Sequence, residues 1–294
     1  MQNVRTIPAF TDSFETEGEV VLGMQQAGFL HKKQNCDKSG EEMFLRRRGE
    51  SYEWRCRVSK SRDCSVKSVK AGSFFTRSAL PLRKAMLLIL MWNEKFTSSQ
   101  IASQLKISNN TVMDWRNFLR DLSIRIEDGY PKIGGNGQIV EIDESALHGR
   151  KYGRGTKDKE IDWVFRGYER GSGHVFAQLV PNRTAKTLTA VLRKHVDMRS
   201  TIYSDSWKGY SKLNRVFASH MQVNHSVQFV NIVNGVAVHT NSIESFWRQM
   251  KQPLKINNGT SDVLLASYIT ETVVRENEGD FLAAIFREIV SFKT

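Results

Sequence analysis

The sequence contains few cysteines and prolines and no long hydrophobic run. Three cysteines among 294 residues are too few, and odd in number, for a disulfide framework, which favours a reducing compartment. Only five prolines, with 40% hydrophobic and 25% charged residues, indicate a globular chain rather than a disordered one. The most apolar run, Ala85–Trp92, is too short to cross a bilayer and predicts a buried helix. No apolar signal segment follows Met1, so we expect neither secretion nor a membrane partner.

Acidic residues are also in the minority. Lys and Arg number 43 against 31 Asp and Glu, which gives a formal net charge of +12. An excess of positive charge favours a polyanionic partner, because phosphate binding releases condensed counterions. Charge alone leaves open the alternative of an ordinary basic soluble protein.

Residues 1–75 form the first of three predicted domains. A helix is predicted around Glu15–Ala27, and the chain then becomes short-stranded, basic and cysteine-bearing. Between Lys32 and Lys70 there are twelve Lys and Arg against six acids. This composition predicts a small basic module.

Residues 76–130 form a predicted helical domain. Apolar spacing predicts helices over Leu82–Trp92, over Ser98–Leu105 and from Asn109 to about Ile126. Thr97, with Gln100 three residues on, is typical of a helix N-cap. A short helix, a tight turn and a second helix with a polar start form the helix-turn-helix layout, whose second helix enters the DNA major groove. Any small helical bundle is the alternative. The candidate DNA contacts are Asn109, Asn110 and Arg116.

Residues 131–294 form the third predicted domain, which begins after a glycine-rich linker. Its patterns alternate between strand and helix, which predicts an α/β fold with a mixed sheet flanked by helices. The predicted strands are Gln138–Asp143, Trp163–Arg170, His174–Val180 and Thr201–Ser204, and the predicted helices are Thr184–Val196 and Thr240–Gln252.

Three carboxylates stand where such a fold places a ligand site. Asp143 and Asp205 each end an apolar strand, and Glu244 lies in the first turns of a predicted helix. Three converging carboxylates can hold two divalent cations for phosphodiester chemistry, and oxygen ligands suit Mg²⁺ or Mn²⁺. Taken alone, the three carboxylates are weak evidence for a metal site, since most of the 31 acids are expected to be solvated surface residues.

The sequence segments around these acids resemble those of a known protein family. Glu141–Ser145, Tyr203–Tyr210 and His239–Trp247, with Val223–Ser226 and Arg150–Gly155, are similar to the ISXO2-like (IS1595/IS1016) transposase domain and to the Merlin elements. The resemblance covers about residues 25–280 in order. It implies an RNase H-like core with a DDE triad, here Asp143, Asp205 and Glu244, and the glutamate at the third position resembles the Merlin and IS1016 branch.

The resemblance also implies an activity and partners. It implies a cut-and-paste transposase that binds terminal inverted repeats, cleaves the element's ends and joins them to target DNA, acting as a homo-oligomer, dimer or higher. A eukaryotic element would imply a nuclear location, and a bacterial one the cytoplasm or nucleoid. The rival interpretations are a domesticated, non-catalytic DNA-binding protein and a metal-dependent nuclease without strand transfer.

Further residues are assigned from the same resemblance. Lys251, seven residues after Glu244, matches a lysine expected to contact phosphate, although it could be one more exposed lysine. His225 is expected either near the active site or as a structural histidine between strands. The loop residues Arg150, Lys151 and Arg154 are expected to contact the DNA backbone rather than only solvent.

Neighbours of the acids have their own expected roles. Glu141 shares a strand face with Asp143 and is the rival first ligand, whereas Glu144 faces the opposite way. Trp207 and Trp247 are expected to be core aromatics that flank the acids rather than groups that stack on bases.

The cysteines depart from the family pattern. Relatives begin with a zinc ribbon whose first pair is Cys-x-x-Cys, but here Cys36 is followed at that spacing by Ser39. A zinc-ribbon-like module could still bind Zn²⁺ through three cysteines and His31, since a site of three cysteines and one histidine is chemically acceptable. The alternative is a metal-free ribbon packed around Phe44, Tyr52 and Trp54. The candidate zinc ligands are Cys36, Cys56, Cys64 and His31.

Overall fold

The computed structural model describes residues 4–49, 51–59, 62–147, 163–223, 231–233, 236–238, 247, 250–251 and 262–292. The chain forms two compact units, one of residues 1–122 with 280–294 and one of residues 123–279. The predicted division into domains 1–75, 76–130 and 131–294 stays a prediction.

The first unit begins with two helices and a small antiparallel sheet. Helix α1 spans Ile7–Ser13 and helix α2 spans Glu17–Gln26, close to the predicted helix. Strands β1 (Phe44–Arg48), β2 (Ser51–Ser59) and β3 (Arg62–Ser68) pair in the order β1-β2-β3. The sheet is the frame of the predicted ribbon-like module.

Three helices follow along the chain, the last of which begins in this unit and ends beyond its boundary at Leu122. They are α3 (Leu82–Asn93), α4 (Ser98–Leu105) and α5 (Asn109–Asp128), close to the predicted bounds. Thr97 and Gln100 form a reciprocal capping box, which confirms the predicted start of α4. Lys106 adopts the left-handed conformation, φ 50°, and so ends α4 and begins the turn into α5.

The second unit contains the predicted mixed sheet. Its strands are β4 (Ile139–Ala146), β5 (Trp163–Glu169), β6 (Val175–Val180), β7 (Thr201–Asp205) and β8 (Ser219–Val223), and its helices are α6 (Ala185–His195) and α7 (Asp262–Asn277). The sheet order is β6-β5-β4-β7-β8. Strands β4 to β6 pair antiparallel, whereas β7 runs parallel to both β4 and β8. This topology is that of the RNase H-like core that the resemblance implies, so the predicted fold class is confirmed.

Each face of this sheet has its own hydrophobic core, because successive residues of a strand point to opposite faces. Ile142 and Phe165 pack with Leu188 and Leu192 of α6 on one face. The other face packs against α7 and Met250, through buried residues that include Val164, Val175, Ile269 and Val273. Both faces are therefore covered, and functional side chains can reach solvent mainly at the strand ends.

Two further elements complete the described chain. Strands β9 (Asn231–Val233) and β10 (Val236–Val238) pair as a separate antiparallel ladder. Helix α8 (Phe281–Ser291) belongs to the first unit, where Phe281 lies 5.1 Å from Trp92 of α3 between ring centroids. None of the helices among the described residues is both long and apolar enough to cross a membrane.

Candidate functional site

The parallel pairing of β4 and β7 brings two of the predicted acids together. Ile139 pairs with Thr201 and Glu141 with Tyr203, and the same register places Asp143 level with Asp205. Both strands run in one direction, and β7 ends at Asp205, whereas β4 continues past Asp143 to Ala146, so the predicted strand end at Asp143 is wrong. The two acids lie side by side near the carboxyl ends of these strands, where α/β folds hold their ligands. The negative charge of Asp205 is one cause of the raised pKa of the Asp143 carboxyl.

Asp143 is held by hydrogen bonds at both oxygens. The Trp247 indole Nε1 donates to Oδ2 at 2.9 Å, and the Glu144 backbone N–H donates to Oδ1 at 2.9 Å. Burial raises the pKa of the Asp143 carboxyl, the Trp247 hydrogen bond opposes this, and the charge of Asp205 raises the pKa further. A buried carboxyl whose ionisation is disfavoured in this way is a fitting donor for a divalent cation, whose charge would favour the carboxylate.

Lys251 lies beside the same strand. Its Nζ donates to the Ser145 hydroxyl at 2.7 Å, and Ser145 shares a strand face with Asp143. Trp247 and Lys251 both have helical backbone and are one turn apart, so both can reach β4. The structure thus places Lys251 near the acids, and its contact with phosphate stays a prediction.

Trp207 differs from the sequence-based expectation. Its backbone N–H donates to Asp205 Oδ1 at 3.0 Å, but 37% of the residue is exposed, so the expectation of a core aromatic is wrong. The chain turns outward after β7 ends at Asp205, which takes the indole away from the core. Trp247, in contrast, is half-buried and packs against the α7 core as expected.

Glu141 and Glu144 have structural partners. Glu141, the rival first metal ligand, is fully buried and forms an ion pair with Arg170. Its carboxylate is therefore already engaged with a positive charge. Glu144 faces the opposite side of the sheet, as expected, and accepts a hydrogen bond from the Tyr210 hydroxyl. Burial raises the pKa of both the Glu144 carboxyl and the Tyr210 hydroxyl.

Sequence reasoning did not single out Arg166. It pairs across the β4–β5 ladder with Asp143, is 1% exposed, and its guanidinium lies 3.0 Å from Glu276 Oε2 of α7. A charged residue within the apolar strand Trp163–Glu169 was the available signal. Arg166 brings a buried positive charge next to the proposed first metal ligand.

Similarity to known proteins identifies the family of this chain. The ISXO2-like transposase domain matches residues 134–277. An "Uncharacterized transposase-like protein" from Haemophilus influenzae (strain ATCC 51907 / DSM 11121 / KW20 / Rd) is 30% identical over 111 residues, which is 38% of this chain and 87% of that protein. The chain belongs to the ISXO2-like transposase family. Asp143, Asp205 and Lys251 all lie within the matched domain, and the Merlin branch stays a prediction.

Two solved structures show a low likeness to this member of the family. The catalytic core domain of BIV integrase is 14% identical, covers 48% of this chain and 84% of its own, and has a TM-score of 0.32. The catalytic core domain of HTLV-2 integrase, in complex with magnesium in a trimeric form, is 13% identical, covers 51% of this chain and 90% of its own, and has a TM-score of 0.32. At this TM-score neither structure bears on the chemistry of the chain.

Several predicted site residues lie outside the described residues. They are Arg150, Lys151, Arg154, His225 and Glu244. Their assigned roles stay predictions.

The candidate DNA contacts on α5 divide into two groups. Asn109 and Asn110 are exposed at the start of the helix, where the prediction needs them. Arg116 is only 9% exposed and donates to the Ser98 hydroxyl at 2.9 Å. Because Arg116 points into the packing between α5 and α4, the structure does not favour it as a DNA contact.

The three cysteines converge in the first unit. The sulfur atoms of Cys36, Cys56 and Cys64 all lie within 4.8 Å of one another, and Cys36 and Cys64 are 3.5 Å apart. Tetrahedral zinc with bonds of about 2.3 Å needs sulfurs roughly 3.8 Å apart, so the cluster fits three of four ligands. Hydrogen bonds from Ser39 and Ser65 lower the pKa of the Cys36 thiol to about 5, which favours the thiolate that zinc requires.

His31 does not complete this cluster. Its Nε2 lies 3.1 Å from the Gly72 carbonyl oxygen, and it is not among the residues that converge with the thiols. Ser39 stands at the cluster instead, with its hydroxyl 3.4 Å from Cys56 Sγ. The expectation of His31 as the fourth ligand is therefore wrong. Ser39 occupies the second cysteine position of the family's Cys-x-x-Cys spacing, and the fold brings that position to the thiols.

We expect Ser39→Cys to strengthen zinc binding at this cluster. The new thiol would stand beside Cys56 and supply the missing fourth sulfur, so zinc affinity should rise by at least about tenfold. Zinc per chain and competition with a chelator would be measured under reducing conditions, with Cys56→Ser as the variant that loses metal. A parent protein and a Ser39→Cys variant that both contain no zinc would leave only a metal-free packed ribbon.

Proposed function

We propose that this protein is a DDE transposase that cleaves transposon ends and joins their 3′-OH groups to target DNA. The observation that carries the proposal is the placement of Asp143 and Asp205 at the same level on neighbouring parallel strands. Both acids lie within the segment that matches the transposase domain, and the charge of Asp205 raises the pKa of Asp143.

Asp143, Asp205 and Glu244 would hold two Mg²⁺ or Mn²⁺ ions. Such ions activate the attacking oxygen and stabilise the leaving oxygen of a phosphodiester. Trp247 orients the Asp143 carboxylate through its indole N–H, so that the other lone pairs of the carboxylate stay available. Glu244 precedes Trp247 by three residues and Lys251 by seven, which is the spacing of one helix face and supports its assignment to the same edge.

The remaining residues assigned to DNA would serve binding rather than chemistry. Lys251 would contact a phosphate near the acids, and the loop residues Arg150, Lys151 and Arg154 would contact the DNA backbone. In the first unit, the exposed Asn109 and Asn110 at the start of α5 would read the terminal repeats in the major groove. His225 is proposed as a residue near the reacting phosphate.

Assembly and location follow from the same proposal. Two ends must be cut and joined together, so we propose a homo-oligomer, a dimer or higher, that carries two active sites. A nuclear location would apply to a Merlin-type eukaryotic element, and the cytoplasm or nucleoid to a bacterial one.

Product analysis tests this function. The purified protein would be incubated with Mg²⁺ or Mn²⁺, DNA that carries the element's ends and a supercoiled target plasmid. A transposase yields end-target joint molecules, and we expect them only when the divalent ion is present. Cleaved ends without joints would identify a nuclease, and binding without cleavage would identify a domesticated DNA-binding protein.

A further inference from the structure

Trp207 is an exposed aromatic residue directly after one of the proposed metal ligands. Most large apolar side chains that the structure describes in the second unit are buried, whereas Trp207 is 37% exposed, two residues beyond Asp205. Its backbone N–H donates to Asp205 Oδ1 at 3.0 Å, so this exposed aromatic residue is attached to the proposed site itself.

Contacts on several sides fix the indole. The Trp207 Nε1 donates to the Arg183 carbonyl oxygen at 3.4 Å, and the Arg183 guanidinium lies 4.5 Å from the ring centroid. Gly209 packs against the ring edge, where an added Cβ would come within 2.6 Å of Nε1. A side chain held in this way loses little conformational freedom when a ligand binds.

Arg183 is itself anchored. Its guanidinium lies 3.9 Å from the centroid of the Trp163 ring and 3.3 Å from Glu144 Oε1, whose side chain is 4% exposed. The guanidinium therefore covers one face of the Trp207 indole and is engaged with Trp163 and Glu144. Trp207 remains 37% exposed where the chain leaves β7 after Asp205.

We infer that Trp207 is a stacking platform for one unpaired DNA base next to the scissile phosphate. This inference rests on the proposed function, which places a phosphodiester at Asp205. A flat apolar ring matches the π-face that every base presents, and such stacking is tolerant of sequence. Lys208, the next residue, is exposed and can contact the phosphate of the same nucleotide. The base leaves the duplex stack at the cleavage site, which opens the scissile strand to the acids.

Variants at Trp207 separate stacking from packing. Trp207→Phe keeps an aromatic face, whereas Trp207→Leu keeps apolar bulk against Arg183 without one. Met198→Ala is the matched control, because Met198 is 56% exposed in the same unit but precedes the opposite end of β7. We expect Trp207→Leu to lose on the order of 10- to 100-fold in end cleavage, Trp207→Phe to lose clearly less because it keeps an aromatic face, and Met198→Ala to stay near the parent.

A protein–DNA coupling experiment tests the contact itself. End DNA carrying an abasic site at each position around the cleavage point would be bound, in Ca²⁺ without cleavage, to the parent, Trp207→Leu and Trp207→Phe. We expect one position at which the abasic site changes parent binding by about tenfold but changes Trp207→Leu binding little, with Trp207→Phe resembling the parent. Thermal melting of each variant would confirm that it folds.

The outcomes separate this inference from the proposed function. If the effects of Trp207→Leu and of the abasic site are additive at every position, Trp207 does not stack on a base and the inference is overturned. A position-specific coupling without any Mg²⁺-dependent cleavage would support the stacking contact and overturn the transposase assignment. Absence of end binding by the parent protein would overturn both.

Discussion

Replacement of Asp143, Asp205 or Glu244 by its amide is expected to abolish end cleavage. Each carboxylate would hold a cation whose charge stabilises the transition state, so its loss should lower the rate by at least about 10³-fold, on the order of 4 kcal/mol. Binding to end DNA should remain or tighten slightly, since each variant removes a negative charge that repels phosphate.

The measurement compares cleavage in Mg²⁺ or Mn²⁺ with binding in EDTA for each variant. Glu141→Gln is the matched control, because Glu141 lies on the same strand face but is bound to Arg170 and fully buried. We expect its cleavage rate per folded molecule to stay within about tenfold of the parent. If Glu141→Gln were inactive and Asp143→Asn active, Glu141 rather than Asp143 would be the first metal ligand. Full activity in every variant would contradict the two-metal assignment.

Arg166→Met is expected to destabilise the second unit by about 3–5 kcal/mol. The Arg166 guanidinium is 1% exposed and lies 3.0 Å from Glu276, so its removal leaves a carboxylate of α7 desolvated without its partner. Burial already raises the pKa of Glu276, and Arg166 is what lowers it. In the variant the pKa of Glu276 in the folded state stays raised. The free energy of unfolding is therefore higher below this pKa and falls as pH rises through it.

Urea unfolding at several pH values would measure this effect. The double variant Arg166→Met with Glu276→Met should recover much of the loss, because no unpaired charge remains. Arg199→Met is the control, since Arg199 pairs with Asp197 but is 73% exposed, and its loss should change stability little. Equal effects of Arg166→Met and Arg199→Met would show that the buried pair does not stabilise the sheet.

Local elements followed closely from local sequence. The start of α4 at Thr97 and Gln100 depends on hydrogen bonds within one helical turn, and the structure confirms it. The predicted strands around Trp163–Glu169 and Val175–Val180 depend on a short turn and on residue type, and they too are found. Strand β8 went unpredicted, because its residues Ser219–Val223 lack a clear alternation and acquire their structure by pairing with β7.

The same division applies to the candidate site. The sequence alone determined the family resemblance, Asp205 as a strand-end residue and the opposite orientation of Glu144, because each depends on neighbouring residues, whereas the predicted strand end at Asp143 is wrong, since β4 continues to Ala146. Only the tertiary structure decided that Arg166 lies beside Asp143, that Arg116 is buried, that Trp207 is exposed and that Ser39 rather than His31 stands at the thiols. These facts depend on contacts between residues far apart in the chain, and burial is set by what the rest of the fold packs against each side chain.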